Sequence, residues 1–305
     1  MTFISALATP RFVFISGDLR VTTMRGRRVE DQSDWATKTM QLDSDDIFGW
    51  TGVARIGNRL VDEWVADALN GVPRDERLRA LALKATEAFR RFRILEPHAL
   101  LGAGFQEQRG KRVPRGWIVT NAWDDIDLRF DPKTRDLEFE VHPLAPDDSG
   151  VTTLWSVGGE DENGDLTNPA IAKAKADLEA LARQDTADPR PIMLRLSELS
   201  AEMASSGEHI GASSIVTSLP RKADGDSGLI TFVEPPDLGS MQRFAVTANY
   251  VRDFRGPHPE YFRQPGLISE KGFSLTGIVS SRQGTELGPD PHRGSGSRPG
   301  ASFGL

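Results

Sequence analysis

The stretch TFISALATPRFVFISGD, residues 2–18, decides the fold. Residues 3–9 and 12–22 are β-rich runs of branched and aromatic side chains, and Pro10-Arg11 separates them. That pattern predicts two strands joined by a tight turn. The competing reading is a signal peptide, because the chain from Met1 to Ser16 is largely apolar. It lacks a basic first segment, however, and Pro10-Arg11 interrupt the apolar run in its middle. The hairpin is the better reading. The distinction matters, because cleavage of a signal peptide would remove Thr2.

Working outward, residues 36–42 and 46–54 predict a second strand pair, with Asp43-Ser44-Asp45 as its turn. Helical spacing then takes over. Ile56, Leu60, Val61, Trp64, Val65, Ala68 and Leu69 fall on one face, and Gly71 ends that helix. A second apolar face, with Leu78, Leu81, Ala85, Ala88, Phe89 and Phe92, runs from Pro73 to about Ile94. Strand signals return at 99–106, 116–122, 137–144 and 151–157. Asn168-Pro169 predicts the start of a third helix, since Asn caps and Pro suits the first turn. Its buried side is Ile171, Ala174, Leu178 and Leu181. A fourth helix, from about Pro189 to Ser206, turns Ile192, Leu196, Leu199 and Met203 inward and stops at Gly207. Strands at 210–219, 228–234 and 241–251 complete the regular part. Strands, helix pair, strands, helix pair, strands is the order of a layered α+β domain. It spans residues 1–251. Residues 252–305, rich in Gly, Pro, Ser and Arg, read as an extension that is disordered towards its end.

Composition narrows the function. The chain has 305 residues, 38% hydrophobic and 27% charged, as expected of a soluble globular protein. Its net charge of −7 argues against nucleic acid as a partner. No apolar run approaches the roughly 20 residues that span a bilayer, so no membrane partner is expected. With no cysteine, thiolate nucleophiles, disulfides and cysteine–zinc sites are excluded, and a cytoplasmic location is permitted. The five histidines are scattered and form no HExxH-like pair, so neither metal nor cofactor is indicated.

Four residues then stand out. Thr2 follows the initiator Met directly, and a small second residue generally permits Met removal, which would free the Thr2 α-amine. That amine has a reference pKa of about 7.7–8.0 and can serve as a base for its own hydroxyl. Asp18 ends the second strand, sixteen positions after Thr2. Lys38 lies in the next strand pair, and Gly52 follows it by fourteen positions within Gly49-Trp50-Thr51-Gly52. Taken singly, each has an ordinary explanation. Asp18 suits a strand-end turn, Lys38 a solvated face, and Gly52 the approach to a helix.

Taken together they resemble the proteasome β-subunit and its bacterial ring-protease relative. That family is one of N-terminal-nucleophile hydrolases, with a Thr, a strand ending in Gly-Asp, a strand lysine and a Gly-containing turn before a helix. The Thr-to-Asp and Lys-to-Gly intervals match. The Asp-to-Lys interval is longer, and a hairpin around Arg25-Gly26-Arg27-Arg28 would absorb the excess. The resemblance implies a four-layer αββα sandwich, two stacked antiparallel sheets flanked by helix pairs. It implies Thr2 as nucleophile, Lys38 as the cation beside it, Asp18 as the partner of Lys38, and the Gly52 N–H as oxyanion donor. Ser156, in Ser156-Val157-Gly158-Gly159, is the counterpart of a serine turn that holds the Thr amine. Glu208 and Ser213 are looser counterparts of an acid and a serine after the fourth helix. The implied activity is hydrolysis of a peptide or small amide, by a homo-oligomer. The alternatives are a catalytically inactive subunit with a structural or partner-binding role, and a non-peptide amidase.

Other signals carry less. Gly225-Asp226-Ser227-Gly228 is similar to a trypsin-like nucleophile turn, but none of the histidines stands in a companion motif. Asp161 to Asp165 fails the calcium-loop pattern, and Gly102-Ala103-Gly104 lacks the helix a dinucleotide site needs.

Overall fold

In the computed structural model the described residues are 2–25, 28–33, 38–41, 46–134, 136–144, 152–158, 169–184, 188–206, 210–212, 214–221, 227–233 and 243–249. Asp43 to Asp45, Asp161 to Asp165, Asn168, Gly207, Glu208, Ser213 and the extension 252–305 lie outside them.

The opening hairpin forms as the sequence predicts: β1 (Ile4–Ala8) and β2 (Phe12–Asp18) pair antiparallel, Ile4 opposite Gly17 and Ala8 opposite Val13. The run 12–22 is not one strand, though. It breaks at Leu19-Arg20, and β3 (Val21–Arg25) pairs with β4 (Arg28–Ser33) as a separate hairpin inside the long Asp-to-Lys interval. Next come β5 (Thr39–Gln41) and β6 (Asp46–Thr51), again antiparallel.

The first helix starts later than its apolar spacing suggests. Gly57, with φ at +65°, turns β7 (Arg55–Ile56) back on β8 (Arg59–Leu60), and α1 runs only from Val61 to Ala68. Ile56 is buried all the same, so the periodicity reported burial rather than helix. After it come α2 (Arg77–Phe92), β9 (Ala99–Gln108), β10 (Lys111–Thr120) and two short strands, β11 (Trp123–Asp124) and β12 (Arg129–Phe130). The chain continues with β13 (Glu140–Leu144), β14 (Thr153–Val157), α3 (Pro169–Arg183) and α4 (Arg190–Ser206). It ends with β15 (Ser214–Pro220), β16 (Ser227–Val233) and β17 (Arg243–Asn249).

This is a mixed α+β structure. Among the described strands every pairing is antiparallel. One sheet has the order β14-β1-β2-β15-β16-β17, and another β13-β10-β9-β6-β5.

Alternation along the strands sorts side chains to two faces. Ile4, Ala6, Val13 and Ile15 from the first sheet share a cluster with Ile47, Leu101, Phe105 and Ile118 from the second. The other face of the first sheet, with Phe3, Leu7, Phe14 and Val216, packs Ala174 and Leu178 of α3 and Leu196, Leu199 and Met203 of α4. The other face of the second sheet, with Phe48, Trp50, Leu100 and Trp117, packs Val61 and Val65 of α1 and Leu81, Ala85 and Phe89 of α2. β1 is therefore covered on both sides, which is why residues 3–9 read as a nearly continuous apolar run. No described helix is long and apolar enough to cross a membrane.

Candidate active site

Register brings the first two residues of interest together. In the β1–β2 pair the residue numbers of partners sum to 21, so the ladder extended by one step sets Phe3 against Asp18. The Asp18 N–H donates to the Phe3 carbonyl at 3.2 Å, and the Phe3 N–H donates to Asp18 Oδ2 at 2.8 Å. The Thr2-to-Asp18 interval is thus the length of a hairpin that returns the chain beside its own start.

The β5–β6 pair supplies the rest. Trp50 N–H donates to the Lys38 carbonyl at 3.0 Å, which places Lys38 beside the end of β6, one residue from Thr51 and two from Gly52. Close approach of the two sheets carries Lys38 to Thr2. A Cβ on Gly17 would lie 2.9 Å from Thr39 Cγ2, so a larger residue there would push the lysine strand away.

The result is a buried polar cluster. Lys38 Nζ donates to Thr2 Oγ1 at 2.8 Å, to Asp18 Oδ1 at 2.9 Å and to the Arg20 carbonyl. An ammonium has three N–H donors, and these three oxygens lie within their reach. Asp18 is fully buried and also accepts from the N–H groups of Arg20 (2.8 Å) and Gly211 (3.3 Å). Charge-assisted bonds of this kind make a buried carboxylate tolerable. Arg20 reaches across to the Ile210 carbonyl at 3.2 Å, tying the end of β2 to the segment before β15.

Lys38 donates to Thr2 Oγ1, so the hydroxyl's own proton is directed elsewhere. The ammonium favours an alkoxide at Oγ1 and cannot, while charged, accept its proton. The Thr2 side keeps 7% of its exposure, and Lys38 5%.

Gly52 sits at the end of β6 with φ at +101°. The demand for glycine here is local: a Cβ would stand 2.5 Å from the Pro97 carbonyl and 2.7 Å from His98 Nδ1. His98 is buried between Phe89 and Phe139, and neither ring nitrogen has a hydrogen-bond partner among the described residues. Burial pushes its pKa down to about 3, so the ring is neutral.

Ser156 lies on β14 opposite Ser5, and it is Gly158, two residues on, that meets Thr2. Gly158 has φ at +76°, and a Cβ there would come within 1.8 Å of the Thr2 carbonyl oxygen. That oxygen also accepts from Thr51 Oγ1 at 3.2 Å. Gly158 and Thr51 both lie inside the motifs read from the sequence, which give them no role, because both act on a main-chain oxygen. The signal for Thr51 is its parity: it follows Ile47 and Gly49 onto the face that packs against β1.

No family model matches the chain, and no curated protein matches it. Among solved structures the chain is similar to Anbu (ancestral beta-subunit) from Yersinia bercovieri, at 12% sequence identity and a TM-score of 0.43, over 81% of this chain and 88% of that one.

Proposed function

We propose that this chain is an N-terminal-nucleophile hydrolase that cleaves amide bonds, of peptides in the first instance, through Thr2. The observation that carries the reading is the Lys38 ammonium held between Thr2 Oγ1 and Asp18 Oδ1, at 2.8 and 2.9 Å. The layer order that goes with it is α1/α2, second sheet, first sheet, α3/α4, an αββα sandwich supported by the three apolar clusters.

Removal of Met1 frees the Thr2 α-amine. Thr2 Oγ1 attacks the substrate carbonyl carbon, and its proton passes to the α-amine. Lys38 stabilises the charge that builds on Oγ1, while Asp18 keeps the lysine charged and in place. The Gly52 N–H faces the tetrahedral oxyanion. Collapse expels the leaving amine, which takes the proton back, and water then hydrolyses the Thr2 ester. Ser156 enters through β14, the strand that delivers Gly158 to Thr2. A homo-oligomer in the cytoplasm, acting without metal, membrane or nucleic acid, completes the proposal.

The low exposure of Thr2 favours one other reading, in which the lysine–aspartate pair is purely structural and the chain is an inactive subunit. Intact mass and labelling separate the two. The hydrolase reading expects a chain that begins at Thr2 and is modified by a peptidyl boronate in wild type but not in Thr2→Ala. Labelling that persists in Thr2→Ala points to another nucleophile, and absence of labelling leaves the structural reading.

A further inference from the structure

The peptide unit joining Thr2 to Phe3 is gripped at both ends. Its N–H donates to Asp18 Oδ2 at 2.8 Å, and its carbonyl oxygen accepts from Thr51 Oγ1 at 3.2 Å. Gly158 closes over the same oxygen so tightly that no side chain fits there. With that plane fixed, Thr2 Cα is fixed, and Lys38 selects the side-chain rotamer by its bond to Oγ1. Thr51 is buried, so its hydrogen bond is shielded from competing water. It is also the residue immediately before Gly52. One hydroxyl therefore connects the main chain of the nucleophile to the segment that carries the oxyanion donor.

We propose that Thr51 is a positioning residue, and that its hydroxyl sets the distance between the Thr2 nucleophile and the Gly52 N–H. The inference rests on the hydrolase reading of Thr2. Loss of the hydroxyl frees the Thr2–Phe3 peptide to tilt. Among the described residues the Thr51 hydroxyl bonds only the enzyme's own main chain, so substrate binding is expected to be retained. The expected signature is a loss in the chemical step with binding retained. A misplacement of about 1 Å at a reacting atom costs roughly 100-fold.

The test measures saturable inactivation by a tripeptidyl epoxyketone in wild type, Thr51→Val and Thr51→Ser, with the adduct mapped by mass spectrometry and Tm recorded for each. Thr51→Val keeps the shape and removes the donor; Thr51→Ser keeps the donor. The proposal expects kinact to fall by about 10- to 100-fold in Thr51→Val, with KI within about threefold, and Thr51→Ser to stay within about threefold of wild type. If Thr51→Val does not fold, Thr51→Ala carries the comparison. Equal kinact in wild type and Thr51→Val overturns the positioning role while leaving Thr2 as nucleophile. A Thr51→Ser variant as slow as Thr51→Val also overturns it, since the hydroxyl would then not be the group that matters. A wild-type chain with no adduct on Thr2 overturns the hydrolase reading and this role together.

Discussion

Asp18 and Lys38 form a pair in which each charge depends on the other, with exposures of 0% and 5%. Breaking such a pair by removing one partner leaves an uncompensated buried charge, at a cost of about 3–5 kcal/mol. Asp18→Asn is therefore expected to lower the unfolding free energy by that order, read as a fall in the urea midpoint, and to slow labelling of Thr2. Lys38→Met is expected to abolish labelling by at least about 100-fold, because it removes the cation from Oγ1. His98 makes a prediction about pH. Its folded pKa, about 3, lies below the ordinary 6.5 because burial disfavours the charged ring. The folded state thus binds fewer protons than the unfolded chain between those values. Stability from this residue is complete above pH 6.5 and is lost as pH falls towards 3, at up to about 1.4 kcal/mol per pH unit. His98→Phe keeps the ring against Phe89 and Phe139 and removes the titration. Its urea midpoint is expected to vary less with pH between 6 and 4 than that of wild type. At this scale Thr2, Asp18 and Lys38 were legible because strand register imposes the Thr2-to-Asp18 and Lys38-to-Gly52 intervals on the chain. Thr51 and Gly158 were not, since a side chain or backbone that serves a main-chain oxygen leaves no fixed interval to read.

Elements were legible where one face is apolar and the ends are punctuated. The third and fourth helices begin and point as their spacing implies, with Ala174, Leu178, Leu196, Leu199 and Met203 buried. The first helix begins later than its period implies, since Ile56 and Leu60 satisfy a helical period while belonging to a short hairpin turned by Gly57. The β9–β10 hairpin is longer than the strand signals at 99–106 and 116–122, because its outer half is polar and carries Pro114. Its tip, Arg109-Gly110, has φ at +51° and +74°, the geometry of a two-residue primed turn. Arginine is poorly suited to positive φ, and Asn tolerates it better. Arg109→Asn is expected to stabilise the protein by about 0.5 kcal/mol, read as a rise in Tm, with no effect on Thr2 labelling.

Over the whole molecule, three apolar clusters hold the site by holding the sheets. The cluster between the sheets joins β1 to β6, the strand that pairs with the lysine strand, and the α3/α4 cluster backs the face that carries Asp18. Leu199→Ala, which opens that second cluster, is expected to cost about 2–5 kcal/mol in denaturant unfolding. The order of strands and helix pairs was legible because each pair must bury one face against a sheet. The way the sheets meet was not, because it depends on Gly17 fitting against Thr39 across the interface.

If this arrangement makes Thr2 a nucleophile, an electrophile bonds there. Peptide-mapping mass spectrometry of the full chain after treatment with a peptidyl epoxyketone tests it most directly, since that warhead can bond both the hydroxyl and the free amine of a terminal threonine. The expected product is a chain lacking Met1 with a single adduct on Thr2. Retained Met1, or an adduct absent from Thr2, would contradict it.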